Sequence, residues 1–181
     1  MQQHATKKLS RRDVLRGGGG LVAMTVMPAG LILGANNAWA ATAKAVKPET
    51  FASMVQACRD IYPHDFLDDS FYAKVVEGFD SAAAGDADAT AVLENGVAAM
   101  NKAAQSAHGA DYMDLGWEDD RTSVLRAMQD DPFFQKMRGA LVTGIYANPD
   151  VWPLFGYEGE SASKGGYINR GFDDIDWLDQ V

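Results

Sequence analysis

The sequence has almost no thiol chemistry. Its 181 residues include one cysteine, Cys58, and three histidines. A single thiol cannot form an internal disulfide, and it excludes haem attachment through paired cysteines followed by a histidine. It also excludes an iron–sulfur cluster, which usually needs four thiolates. Cys58 falls on the apolar side of a predicted helix, so we interpret it as a small buried hydrophobic residue.

Other motifs that hold cofactors or perform catalysis are also missing. After the first forty residues no glycine-rich turn joins a strand to a helix, as dinucleotide binding requires. No Gly-x-Ser-x-Gly elbow is present, and Asp86-Ala87-Asp88 lacks the remainder of a calcium loop. The sequence therefore predicts no catalytic, cofactor-binding or metal-binding residue in this chain.

Several acidic and histidine residues have the chemistry to bind a metal or to act as acids and bases. The group that most resembles a metal site lies in one turn, where aspartates are also expected for helix capping, so we favour a structural role. The same interpretation applies to His108 at a predicted helix end and to pairs of neighbouring aspartates, whose carboxylates diverge on a helix or sit at turns. These residues are His64, Asp65, Asp68 and Asp69 in the turn, and the pairs Asp119-Asp120, Asp130-Asp131 and Asp173-Asp174.

Basic residues are scarce relative to acidic ones. The net charge is −9, and removing the five basic residues and one acidic residue of the first forty would take it to −13. Such a charge excludes a nucleic-acid-binding surface and disfavours attachment to anionic lipid. It suits a protein that docks on a more basic partner.

The first forty residues read as a twin-arginine export signal, predicted to be cleaved after Ala40. The apolar core, Leu21 to Gly34, is diluted by glycines and is short for a spanning helix, which needs about 20 apolar residues. A general secretory signal and a retained anchor are the alternatives. The export motif is Ser10, Arg11, Arg12, Val14 and Leu15, and the cleavage site is Ala38, Ala40 and Ala41. Because the twin-arginine route carries folded proteins, the signal poses a question, since no cofactor site follows it.

Apolar residues spaced three and four apart predict an all-α bundle of about five helices over residues 48–147, after a flexible leader at 41–47. No segment alternates convincingly as a strand. The last helix is the most apolar and is expected at the centre of the bundle. The predicted helices run from Pro48 to before Pro63, from a cap at Asp69 or Ser70 to a linker at 81–88, from a cap at Asp88 to Gln105, from Trp117 to Met128, and from Pro132 to Tyr146.

Residues 148–181 form a predicted irregular tail, rich in aromatic residues and glycine. Such a segment cannot fold alone, so it must pack on the bundle or on a partner. Its aromatic residues are either core or the anchors of an interface, where Trp and Tyr are enriched. The candidate interface residues are Trp152, Phe155, Tyr157, Tyr167, Phe172 and Trp177.

Several short patterns, taken together, resemble the gluconate 2-dehydrogenase subunit 3 family. They are Asp60-Ile61-Tyr62-Pro63-His64-Asp65, Phe133-Phe134-x-x-x-Arg138, Gly144-Ile145-Tyr146-x-x-Pro149-x-x-Trp152, Gly156-Tyr157-x-Gly159 and Gly165-Gly166-Tyr167. Val14 stands where the export motif commonly has Phe, and the turn after Pro63 is unusually acidic. These departures leave the subfamily, and hence the substrate, open.

The resemblance implies a three-part periplasmic complex. A large FAD-bearing subunit oxidises a sugar, sugar acid or polyol, and a multihaem cytochrome c subunit accepts the electrons through haem c. The small subunit binds and stabilises the large one and escorts it through the twin-arginine translocase, touching the membrane only indirectly. This implication answers the question posed by the signal, because the cargo that must fold before export is the partner. The alternatives are a stand-alone periplasmic module that binds a sugar or polyol, and a small enzyme.

Overall fold

The computed structural model describes residues 43–169 and 171–172, and these residues contain five α-helices and no strand. The all-α, five-helix prediction is therefore confirmed. The helices are α1 (Pro48–Ile61), α2 (Asp69–Ala83), α3 (Ala87–His108), α4 (Glu118–Ala127) and α5 (Pro132–Tyr146). The predicted export motif, Ser10, Arg11, Arg12, Val14 and Leu15, the cleavage residues Ala38, Ala40 and Ala41, and Trp177 lie outside the described residues.

Helix α1 is the centre of the bundle, and the expectation that the last helix would occupy that place is wrong. Nine of the 14 residues of α1 are buried, and it packs against each of the other four helices. Helix α5 buries only four of its residues, Phe133, Met137, Leu141 and Ile145, along one stripe. The prediction ranked the helices by their apolar content. Helix α1 also buries small and polar residues, such as Ser53 and Asp60, which do not raise its apolar content.

Helices α2 and α3 begin one or two residues earlier than predicted, and α4 begins one residue later. The cap of α2 is neither of the two predicted residues, Asp69 and Ser70. The carboxylate of Asp68 accepts a hydrogen bond from the backbone N–H of Ser70 and caps α2. Asp86, not Asp88, caps α3, and α2 extends to Ala83, so the predicted linker shrinks to residues 84–86. Neighbouring aspartates are equally good caps, so local sequence alone could not choose among them.

The segment before α1 is fixed in the structure, in contrast to the expected flexible leader. Asp80 of α2 accepts hydrogen bonds from the backbone N–H groups of Lys44, Ala45 and Val46, at 2.7–3.0 Å, and Val46 is buried. Burial opposes the charge on Asp80, but the three N–H donors outweigh it and hold the pKa of this carboxyl below its usual value. Residues 43–46 therefore act as part of the folded domain.

The tail begins as a continuation of the bundle. Val151 is fully buried, and a 3-10 helix, Trp152–Phe155, ends at Gly156, whose φ of 70° suits glycine. No described residue from 152 to 172 is buried. Within residues 43–169 and 171–172, no helix combines the length and apolarity needed to cross a membrane.

Candidate functional site

Five rings from three separate segments meet at one end of the bundle, and we call them the aromatic cluster. Neighbouring ring centroids lie 4.9–5.8 Å apart, mostly in edge-to-face or tilted arrangements. This geometry is the one that aromatic pairs prefer. The aromatic cluster consists of Tyr62, His64 and Phe66 from the turn after α1, Tyr146 from the end of α5, and Phe155 from the tail.

The turn after α1 is held in place by buried polar contacts. Pro63 stops the helix, and the hydroxyl of buried Tyr72 then donates to the carbonyl of Tyr62 at 2.7 Å and accepts from the N–H of His64 at 3.3 Å. Arg59 pairs with Asp69 across the same turn. The backbone that presents His64 and Phe66 is therefore preorganised.

The aromatic cluster is uncharged near neutral pH. Partial burial lowers the pKa of His64 below its usual value, so the imidazole is neutral. Partial burial, with a smaller contribution from Tyr62, raises the pKa of Tyr146, so its phenol keeps its proton. The two groups share a hydrogen bond of 2.8 Å between His64 Nε2 and the Tyr146 hydroxyl.

Much of the cluster nevertheless faces water. The exposed fractions are 54% for Phe66, 40% for Phe155 and 37% for Tyr146. Exposed apolar rings that are held rigidly are typical of interaction surfaces, where aromatic anchors carry much of the binding energy.

The other tail candidates lie beside the cluster or beyond it. The indole N–H of Trp152 donates to the carbonyl of Tyr146 at 2.8 Å, and its ring meets Tyr157 at 5.4 Å. Tyr167 and Phe172 are exposed at 64% and 73%. The structure thus brings Trp152, Phe155 and Tyr157 into one neighbourhood with Tyr146.

The acidic turn residues are not arranged as a metal site. His64 is a member of the aromatic cluster, Asp68 caps a helix and Asp69 pairs with Arg59. No group of three or more possible metal ligands occurs within the described part of the chain. The structural interpretation of His108 fits its contact with Ser123 Oγ at 2.8 Å, which ties α3 to α4.

A buried charge network surrounds Asp60 near the end of α1, and the local sequence pattern does not predict it. Asp60 accepts from the Tyr112 hydroxyl at 2.6 Å, from Arg121 Nε and Nη2 at 2.7 and 3.2 Å, and from Gln56 Nε2 at 3.0 Å. Burial, reinforced by Asp60, raises the pKa of Tyr112, and the bond to Asp60 raises that of Arg121. Both Asp60 oxygens are engaged, so this carboxylate is placed to stabilise the fold and not to abstract a proton.

Cys58 is also confined to the core. It is fully buried, and desolvation raises its pKa to about 12, so it stays a protonated thiol. Thiolate character controls cysteine reactivity. The Cys58 thiol is therefore unreactive near neutral pH.

A groove of about 560 Å³ adjoins the aromatic cluster. Its walls come from the end of α1, from α4 and from the first half of α5. Tyr62 belongs to both surfaces, since it lines the groove and packs against Tyr146. The remaining groove residues are Asp60, Ile61, Thr122, Leu125, Arg126, Gln129, Phe134, Gln135 and Arg138.

A family model supplies the comparison with known proteins. The model described as "Gluconate 2-dehydrogenase subunit 3" matches residues 48–159, which span all five helices, the aromatic cluster and the groove. No curated protein and no solved structure is significantly similar to the chain.

Proposed function

Because the chain belongs to the gluconate 2-dehydrogenase subunit 3 family, we propose that it is the non-catalytic small subunit of a periplasmic, flavin-dependent sugar, sugar-acid or polyol dehydrogenase complex. It binds and stabilises the large subunit, which carries FAD, and a multihaem cytochrome c subunit carries haem c. The observation that carries the proposal is the family match over residues 48–159.

The surface of the chain supports a role in holding a partner. The aromatic cluster is preorganised, neutral and partly exposed, which are the properties expected of interface anchors. We assign this cluster, with Trp152 and Tyr157 beside it, as the contact with the large subunit. Tyr167, Phe172 and Trp177 extend the proposed interface along the tail.

Two buried groups that could take part in catalysis are instead occupied within the fold. The buried carboxylate of Asp60 is engaged by four donors and Cys58 is a buried thiol. Oxidation of the substrate is accordingly assigned to the large subunit.

Export is the second half of the proposal. Residues 1–40 carry the twin-arginine signal, with Arg11 and Arg12 at its centre, and the large subunit crosses the membrane while bound to this chain. Both subunits then remain in the periplasm and reach the inner membrane only through the complex.

The export claim is tested by changing Arg11→Lys together with Arg12→Lys in cells that make all three subunits. We expect dye-linked dehydrogenase activity to move from the periplasmic to the cytoplasmic fraction, because the translocase requires the arginine pair. Changing Lys7→Arg and Lys8→Arg is the matched control, since it alters basic residues outside the pair and should leave the activity periplasmic. Undiminished periplasmic activity in the twin-lysine variant would contradict the escort role.

A stand-alone sugar-binding module is the competing function, because exposed rings can also stack on a polyol. Calorimetry of the isolated chain with gluconate, glucose and sorbitol separates the two. Saturable binding in the absence of any partner would favour the module, whereas the proposed subunit role predicts no measurable heat of binding.

A further inference from the structure

Two arginines in the groove have no counter-charge among the described residues. The described residues include four arginines, and Arg59 and Arg121 form ion pairs with Asp69 and Asp60. No hydrogen bond or ion pair joins the side chain of Arg126 or Arg138 to another described residue, yet both side chains line the same groove.

These arginines lie on a strongly acidic protein. Residues 43–169 and 171–172 contain twenty Asp and Glu but only ten Lys and Arg. Among the described residues that line the groove, the one carboxylate belongs to Asp60, and its charge is already matched by Arg121. The groove is therefore a local cationic site on a surface that otherwise repels anionic segments.

The rest of the lining suits a peptide segment. Leu125 and Phe134 supply apolar contact, and the side-chain amides of Gln129 and Gln135 can pair with a backbone. Guanidinium groups are weakly hydrated and bind carboxylates in a bidentate manner. Acidic side chains on an extended or helical segment match this combination.

We propose that the groove binds an acidic segment of the flavin-bearing subunit. This inference rests on the proposed function and deepens it by naming a second contact with the same partner. Tyr62 makes the groove continuous with the aromatic cluster, so one partner can cover both surfaces. The cluster then supplies apolar anchoring, and Arg126 and Arg138 supply charge complementarity that fixes the orientation of the complex.

The test compares charge reversal in the groove with the same reversal elsewhere. The complex is purified from the periplasm on a tag carried by this chain, and release of the flavin-bearing subunit is followed by flavin absorbance during washes of increasing KCl. The test variant is Arg126→Glu with Arg138→Glu. The control is Lys74→Glu with Lys102→Glu, which changes the net charge equally at exposed positions outside the groove.

We expect the arginine variant to release the flavin-bearing subunit at least about tenfold faster than wild type in 0.1 M KCl, since opposite charges across an interface become like charges. The lysine control should release it at the wild-type rate. Changing both arginines to lysine should give an intermediate rate, because charge remains while the bidentate geometry is lost.

Two results would overturn the inference. Equal release from the arginine variant and the lysine control would show that the groove does not contact the partner, while the proposed function would stand. A lower unfolding temperature of the isolated arginine variant, with an unchanged release rate, would show that the two arginines stabilise the chain's own fold and do not bind the partner. A wild-type chain that retains no flavoprotein in any salt would instead contradict the proposed function itself.

Discussion

Asp60 and Tyr62 lie two residues apart at the end of α1, but their surroundings are opposite in kind. Asp60 is buried, and hydrogen bonds or an ion pair satisfy both of its oxygens. Tyr62 opens onto the aromatic cluster and onto a groove in which the side chains of two arginines form no ion pair with another described residue. The polar groups of the first region are paired within the chain, whereas the second region presents charged and apolar side chains to solvent. The difference separates what the chain needs to fold from what it offers for binding.

The largest expected effect comes from breaking the buried network. Arg121→Ala leaves the Asp60 carboxylate, whose side chain is 3% exposed, without its counter-charge. Removing one partner of a buried ion pair costs about 3–5 kcal/mol, so urea unfolding followed by circular dichroism should show a large loss of stability. Arg126→Ala is the matched control in the groove and should change the unfolding free energy by less than about 0.5 kcal/mol. Equal losses of unfolding free energy in Arg121→Ala and Arg126→Ala would contradict the distinction between the buried network and the groove.

The aromatic cluster should show the reverse pattern, in which substitutions weaken partner binding more than they weaken the fold. Phe66→Ala combined with Phe155→Ala removes two partly exposed rings that we assign to the partner contact. Losing a hot spot of about 2 kcal/mol corresponds to roughly 30-fold faster release of the flavin-bearing subunit. The isolated variant should lose much less stability than Arg121→Ala does. Trp117, exposed at 78% and outside the cluster, gives the control; if Trp117→Ala accelerated release as much, the cluster would not be the specific contact.

Asp80 tests a buried charge with backbone partners only. Its folded-state pKa is depressed, so its ionised form stabilises the fold fully above the unfolded pKa near 3.8, and this contribution is lost as the pH falls through the lower folded pKa. Asp80→Asn should cost about 1.5–3 kcal/mol at pH 7, a value typical of hydrogen bonds to a charged group.

The difference between Asp80→Asn and wild type should shrink below about pH 4. Unfolding curves measured from pH 7 to pH 3 check this. Asp65→Asn changes an exposed carboxylate that has no hydrogen bond to the described residues. It should leave the unfolding free energy nearly unchanged across the same pH range. A constant difference between Asp80→Asn and wild type across this range would contradict the assigned role of the charge.

The smallest expected effects come from alanine substitutions at two helical glycines. One glycine is in the interior and the other is at the surface. A Cβ on buried Gly96 would overlap the ring of Phe133, so Gly96→Ala should destabilise the fold by about 1–3 kcal/mol. A Cβ on Gly78 meets nothing within 4 Å, so Gly78→Ala should stabilise it by about 0.5–1 kcal/mol. Thermal unfolding distinguishes stabilisation from destabilisation. If Gly78→Ala also destabilised the protein, α2 would be more tightly packed around Gly78 than the structure shows.

Local pattern was enough to predict the helices because helix periodicity and capping depend on neighbouring residues. It predicted that α1 ends before Pro63 and that His108 lies at a helix end. Individual positions on those helices were less predictable. Val92 and Val142 fit the apolar spacing of α3 and α5 but are exposed at 51% and 47%, because periodicity does not reveal where a neighbouring helix stops covering a face.

The contacts that define the two regions could not be predicted, because they join distant parts of the chain. Asp60 meets Tyr112 and Arg121 across separations of 52 and 61 residues, and His64 meets Tyr146 across 82. One local signal was available and went unused. Phe66 stands among Asp65, Asp68 and Asp69 in a turn, where an aromatic residue has no core to enter and is a candidate for an exposed anchor.

The most direct measurement is the flavin content of this chain when it is purified by a tag from the periplasm of cells that make all three subunits. A subunit that holds a flavin-bearing partner predicts a complex with a fixed ratio of bound FAD to this chain, and substrate-dependent dye reduction that follows the flavin. The variant Phe66→Ala with Phe155→Ala should lose most of both signals while staying folded. A flavin-free wild-type monomer from those cells, or a variant that retains all of its flavin, would contradict the assignment of the aromatic cluster as the partner-binding surface.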